Sequence, residues 1–364
     1  MRVLPAGDAV TKIGEWELAL ELASHESTVF VARRSGPRAF SRWVAVRYVG
    51  PFLGADADLG DAIVLDAQRA SQLLHPCVLT VHDAGAALGG RFVVTDYVEG
   101  GTIAELLEKG RVDVDALGSI AIDVLSGLAA IHAASDAKGR PLGLVHGRVS
   151  PRNVIVGLDG RARLADLGLA RLGRHDAPSD AYSSFRYAAP EVLGGAEPNV
   201  RSDLFAVGMV LYEALAGRHP YAHATTPKEA LAALASPMPL LSVSSERVSR
   251  AVASAISRAI AGDPALRYAS ADAFATALEA GGMRGAARAV EAVALRHLEV
   301  GVRLRREACR AWALAGGAST PLAKPRSRTY RRVRRWVRRR GSFLIAGVLT
   351  LLAAIVLAFA FIGR

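Results

Sequence analysis

Leu144-Val-His-Gly-Arg-Val-Ser-Pro-Arg-Asn-Val-Ile-Val156, followed ten positions later by Asp166-Leu-Gly168, is the stretch that decides the fold. Val154 to Leu164 reads as a short hairpin turned at Asp159-Gly160, with Asn153 before it and Asp166 after it. Downstream come Ala189-Pro-Glu191, a long apolar segment Arg201-Ser-Asp-Leu-Phe-Ala-Val-Gly-Met-Val-Leu-Tyr-Glu213, and Asp263-Pro-Ala-Leu-Arg-Tyr268. Upstream, Trp43-Val-Ala-Val-Arg-Tyr-Val49 alternates like a strand, and Phe92-Val-Val-Thr-Asp-Tyr-Val-Glu-Gly100 offers another strand running into a turn.

Taken in order, these stretches resemble the catalytic core of protein kinases. Val149-Ser-Pro-x-Asn153 and Arg201-Ser-Asp-Leu-Phe205 are similar to bacterial eukaryotic-like (Hanks-type) serine/threonine kinases. The resemblance covers roughly residues 15–280 and implies an α+β, two-lobed fold: a small, mainly β lobe over 15–98 and a large, mainly α lobe over 99–280. It implies that His146 and Asp203 are structural, and that Glu191 and Arg267 form an ion pair inside the large lobe. Asn153 and Asp166 stand at the positions of the magnesium ligands. Arg47 takes the place of the strand lysine that contacts the α- and β-phosphates. Asp66, on a helix expected over about Asp61 to Leu74, stands where a glutamate pairs with that lysine. Asp96 and Val98 fall in the segment joining the lobes, where the nucleotide base is held.

Three departures bear on the chemistry. In the pattern His-Arg-Asp-x-x-x-x-Asn the aspartate accepts the substrate hydroxyl's proton, and here the register is His146, Gly147, Arg148, so a guanidinium replaces the base. The loop between the first two strands, Leu22-Ala-Ser-His-Glu-Ser-Thr-Val-Phe30, has no glycine, and Glu26 would bring negative charge towards a triphosphate. Arg47 is wider and longer than an ammonium and does not replace it at a point contact. A positioned general base contributes about 10² to 10⁴ in rate, so its loss alone leaves a feeble enzyme. The cationic Arg148 is expected to pair with Asp166 and take up a magnesium site. ATP and magnesium are therefore expected to bind weakly or not at all.

The chain's 364 residues carry a net charge of +11, but the excess is local. Lys324 to Arg340 holds nine arginines and one lysine with no acidic residue, and the remainder holds 35 basic against 34 acidic residues. The run abuts Phe343–Ile362, twenty residues without a charge. At 1.5 Å per residue a helix there is about 30 Å long, the thickness of a bilayer's hydrocarbon. A transmembrane helix is expected over 343–362, preceded by a basic juxtamembrane segment over 323–342 and a helical linker over 281–322 with a self-association face as its sharper reading. Arginines on the amino-terminal side place that side in the cytoplasm, so a C-terminal anchor in the inner membrane touching anionic lipids is expected. Nucleic acid is the weaker reading of the basic run. Cys77 and Cys309 form neither a disulfide framework nor a metal pattern. Residues 1–14 precede the core, and the first thirty residues lack the long apolar stretch of a signal peptide.

The sequence thus points to a membrane-anchored pseudokinase that scaffolds or allosterically regulates protein partners in a phosphorylation pathway. A weakly active Ser/Thr kinase, or a nucleotide-binding switch that transfers no phosphate, are the alternatives. Ser179, Tyr182, Ser183 and Ser184 are hydroxyls that a partner kinase could modify, although Gly147 replaces the arginine that reads such a phosphate in many kinases.

Overall fold

The computed structural model describes residues 2–3, 12–24, 27–35, 41–50, 57–110, 112–170, 184–234, 241 and 248–314. The basic run and the apolar run over 343–362 lie outside the described residues, as do His25, Glu26, Ser179, Tyr182 and Ser183.

The small lobe is an antiparallel sheet. Strands β1 (Arg2–Val3), β2 (Lys12–Ile13), β3 (Trp16–Ser24), β4 (Thr28–Ser35), β5 (Ser41–Val49), β6 (Val81–Ala87) and β7 (Gly90–Asp96) form it, in the order β1-β3-β4-β5-β7-β6, with β2 pairing β3. Alternation in β5 buries Val44 and Val46, and Ala45 and Arg47 project from the other face. Helix α1 (Ala57–Ala70) packs on β6 and β7. It begins before and ends before the expected Asp61–Leu74 span. Beyond Ala70 the backbone closes in tight turns, Gln72 N–H donating to Arg69 O and Leu73 N–H to Ala70 O, and Pro76 disfavours helix at the residue before it.

The large lobe starts with β8 (Gly100–Thr102) and α2 (Ile103–Glu108), whose Thr102–Glu105 pair forms a reciprocal cap. Helix α3 (Val114–His132) follows, then the hairpin β9 (Val154–Gly157) and β10 (Ala162–Leu164), paired Ala162 to Val156 and turned through Gly160 at φ +74°. After it come α4 (Pro190–Leu193), α5 (Val200–Ala216), α6 (Pro227–Leu234), α7 (Arg250–Ala259), α8 (Ala271–Ala280) and α9 (Ala287–Leu314). Helix α3 is long and apolar enough to cross a membrane, but it is a core helix, with Leu117, Ile120, Val124 and Leu128 buried between α5, α8 and β10. Helix α5 is buried on nearly all sides and is capped by Asn199 at its start and by left-handed Gly217 at its end. The hydrophobic core runs from Ile63 and Ala67 of α1 through Leu167 to α3 and α5, so one packed interior joins the lobes behind the cleft.

Candidate active site

The loop over 146–153 is held from below by α5. Asp203, 1% exposed, accepts from the backbone N–H of His146 at 2.9 Å and of Gly147 at 2.7 Å, and lies 2.9 Å from the His132 ring. The His146 ring is wholly buried: its Nδ1 accepts from Arg148 N–H at 3.2 Å and its Nε2 lies 2.8 Å from Ala165 O. Burial pushes its pKa down, so the ring is neutral, with Nε2 donating to the carbonyl just before Asp166. This lattice fixes the loop and the Asp166 turn to each other. It needs none of the reacting groups.

Around that frame the polar residues are arranged differently from the expected pattern. Asp166 is 8% exposed and adopts φ +67°, one of two non-glycine positive φ values among the described residues. Aspartate tolerates this conformation better than most residues, and the backbone there turns the carboxylate towards the small lobe. Its Oδ1 lies 2.6 Å from Arg47 Nε. Arg47 Nη1 in turn donates to Ser27 Oγ at 2.7 Å. Ser27 follows the glycine-free turn, and β3 and β4 pair as far as Ser24 opposite Thr28, which leaves three residues in the connection. A continuous chain Ser27–Arg47–Asp166 therefore links the loop that would cover phosphates to the carboxylate that would hold a metal.

The pairing of Asp166 with Arg148 expected from the sequence is replaced by this contact: among the ion pairs of the described residues, Asp166's partner is Arg47. The reason is reach, because a guanidinium on β5 presents Nε to one side and Nη1 to the other. Asp66 is likewise not Arg47's partner in that set, where it lies 3.8 Å from Arg69. Aspartate is one methylene shorter than glutamate, and α1 sits with its backbone against Gly168, where a Cβ would lie 2.9 Å from Ala67 Cα. Arg148 is 9% exposed, its carbonyl accepts from Asn153 Nδ2 at 2.8 Å, and it lines a cavity of about 260 Å³ with Tyr187, Val192 and Pro198.

Asn153 and Asp166 are oxygen donors of the kind a magnesium ion takes. At Asp166 one carboxylate oxygen, Oδ1, already lies 2.6 Å from Arg47 Nε, so a metal there would share the carboxylate with a guanidinium. Among the described residues no three His, Cys, Asp or Glu side chains cluster as a metal site. In the lobe connection, Asp96 turns its carboxylate into the small lobe, accepting from Thr80 N–H at 3.2 Å and lying 2.8 Å from His82 and 2.5 Å from Arg42. Burial pushes its pKa up, but the bonds from His82 and Thr80 outweigh that and hold it below the usual range. Val98, half-buried, makes no backbone hydrogen bond among the described residues, which leaves its N–H and C=O for a planar ligand edge.

Further down, Glu191 and Arg267 form a bidentate pair at 2.7 and 2.8 Å. Arg267 also donates to the carbonyls of Ala261, Arg201 and Gly262, and its guanidinium lies 4.8 Å over the Phe205 ring. Every strong donor of this buried cation is satisfied, and the pair ties the end of the 184–191 segment to the α7–α8 connection.

The model of the protein kinase domain matches residues 55–278. The chain belongs to the protein kinase family. The serine/threonine-protein kinase PknL of Mycobacterium tuberculosis is 31% identical over 243 residues, covering 66% of this chain and 59% of PknL. The tyrosine-protein kinase MasK of Myxococcus xanthus is 27% identical over 259 residues, covering 69% of this chain and 40% of MasK. This kinase-family chain thus matches only part of each relative's length. Among solved structures, the kinase domain of Mycobacterium tuberculosis PknI superposes with a TM-score of 0.60 at 25% identity, over 77% of this chain and 99% of that one. The small β lobe and the helical large lobe are those of the kinase fold. Ser27 was not legible from the family motifs. The signal for it was the strand register, because Val29 lies opposite Arg47 and Ser27 lies two residues before it.

Proposed function

We propose that the chain is a pseudokinase that acts by binding protein partners, anchored to the inner membrane through residues 343–362 with the 324–340 arginines against anionic lipid. The observation that carries the catalytic half is the Ser27–Arg47–Asp166 chain: the cation meant for the phosphates is spent on the carboxylate meant for the metal. Arg148 at the base position adds a second obstacle, because a guanidinium cannot accept the substrate's proton. The scaffold that a partner would read is intact, as the Asp203 and Glu191–Arg267 networks illustrate. Support for the anchor is the length and uncharged composition of the apolar run and its flanking arginines.

A second reading is a switch that binds nucleotide without transferring phosphate, and the unengaged backbone of Val98 favours it. One experiment separates the readings. The full chain, purified in detergent, is heated with ATP alone and with ATP plus magnesium, beside a phosphate-transfer assay on a generic protein substrate. The pseudokinase scaffold shows neither stabilisation nor transfer. Stabilisation without transfer supports the switch. Magnesium-dependent stabilisation with transfer that is lost in Asp166→Ala overturns both.

A further inference from the structure

Helix α9 spans 28 residues, about 42 Å, and its apolar stripe is divided between the two lobes. Its first turns belong to the large lobe. Ala286 N–H donates to Ser119 Oγ on α3, Val290, Val293 and Ala294 join the main core, and a Cβ on Gly160 would lie 2.7 Å from Ala287 O. Its middle crosses the connection between lobes. Lys109 Nζ donates to His297 O, Arg305 donates to Gly100 O, and Arg306 grips both oxygens of Glu99 at 2.9 and 2.5 Å. A Cβ on Gly101 would lie 2.8 Å from Leu298, so the connection is shaped to let the helix pass. Its last turns lie on the small lobe's sheet. Cys309 is buried with Ala19, Leu20 and Val31, Trp312 meets Trp43 edge-on at 6.1 Å, and the Arg33 guanidinium lies 4.7 Å over the Trp312 ring.

One rigid element thus contacts both lobes and the segment about which they would rotate. Any change of angle between the lobes moves β3–β5 relative to the first turns of α9, and the contacts at one end must break. The joint at the small lobe is the smaller of the two, built from Ala308, Cys309 and Trp312 against a few side chains of the sheet, whereas the other end is part of the main core.

We propose that α9 is an interlobe strap: docked, it fixes the angle between the lobes, and undocking of its last turns, from Arg305 onward, is the step that frees the small lobe. This stands whether or not the cleft transfers phosphate.

The two native thiols provide the test. Cys309 lies in the strap's joint, and Cys77 lies under α3, 3.6 Å from Asp123. Both thiols are buried, so each reacts only after local opening, and burial also pushes both up to about 11. The full chain is treated with a maleimide mass tag, and amide hydrogen exchange is followed over 97–102 and β3–β5. Both cysteines of the wild type are expected to be protected. In Arg306→Glu with Trp312→Ala, Cys309 labelling and exchange over 97–102 are expected to rise about tenfold or more, with Cys77 unchanged. Glu99→Arg in the Arg306→Glu background is expected to restore protection. The proposal is overturned if wild-type Cys309 labels at the rate of the denatured chain or if the two thiols open together. Exposure of Cys309 that leaves exchange over 97–102 and β3–β5 unchanged also overturns it.

Discussion

Removing the guanidinium from Arg47 should cost the fold stability, which is the reverse of its effect in a cleft where that position serves a nucleotide. Asp166 is 8% exposed and its Oδ1 lies 2.6 Å from Arg47 Nε, while the Arg47 side chain is 24% exposed. Two unit charges with centres about 4 Å apart attract by about 4 kcal/mol at an effective dielectric constant of about 20. Arg47→Met keeps most of the methylene packing and leaves a buried carboxylate alone. Breaking such a pair costs about 3–5 kcal/mol, and the partial hydration of Arg47 puts this one near the lower end, about 3 kcal/mol. For a domain of this size the midpoint of thermal unfolding should fall by about 6–12 °C. Asp166→Asn retains a residue that accepts the left-handed backbone, and Arg47→Met in that background should cost about 2 kcal/mol less than in the wild type. Urea denaturation followed by tryptophan fluorescence gives all three values. Effects additive to within about 0.5 kcal/mol, or an Arg47→Met midpoint unchanged within about 2 °C, would show that the contact carries no energy and refute the reasoning.

Two further outcomes are expected. His219 is 4% exposed and its pKa is pushed down to about 4, by burial first and then by the Arg186 charge, so the folded protein refuses a proton that the unfolded chain accepts below about 6.5. Stability should therefore fall as pH drops from 6.5 towards 4, by about 3 kcal/mol, with a shallower slope in His219→Gln; denaturant midpoints at stepped pH measure it. Arg267→Met strands Glu191 and three carbonyls and should destabilise by about 3–5 kcal/mol, whereas Arg201→Met, which frees only backbone acceptors near the surface, should cost clearly less in the same urea titration.

The motifs carried the large lobe because each encodes backbone geometry as well as residue type. Asp159-Gly160 sets a turn that only a residue tolerant of φ +74° can close, and the apolar run over 204–214 can only be a buried helix once Asn199 caps it. The residues of the cleft were legible, but their partners were not. On paper Asp66 was to face Arg47, and Arg148 was to face Asp166. Which contact forms depends on side-chain length and on α1 sitting against Gly168, distances that no spacing in the sequence encodes. Ser27 enters through strand register, a long-range property. The stripe on α9, with Val290, Val293, Leu298 and Val302 buried, was readable as an apolar face, yet the surface it covers is assembled from β3, β8, β9 and α3 and exists only in the fold.

The Ser27–Arg47–Asp166 chain also bears on what such a protein responds to in a cell. A kinase cleft left open by its own residues takes its shape from the adenylate pool, and so its conformation follows the energy supply. Here the charges that nucleotide and metal would balance already balance one another. On the pseudokinase reading proposed above, the docked arrangement of the lobes does not depend on the nucleotide supply, and a starved cell and a growing one start from the same conformer. The variables left to set its output are copy number, placement and whatever engages its outer surfaces.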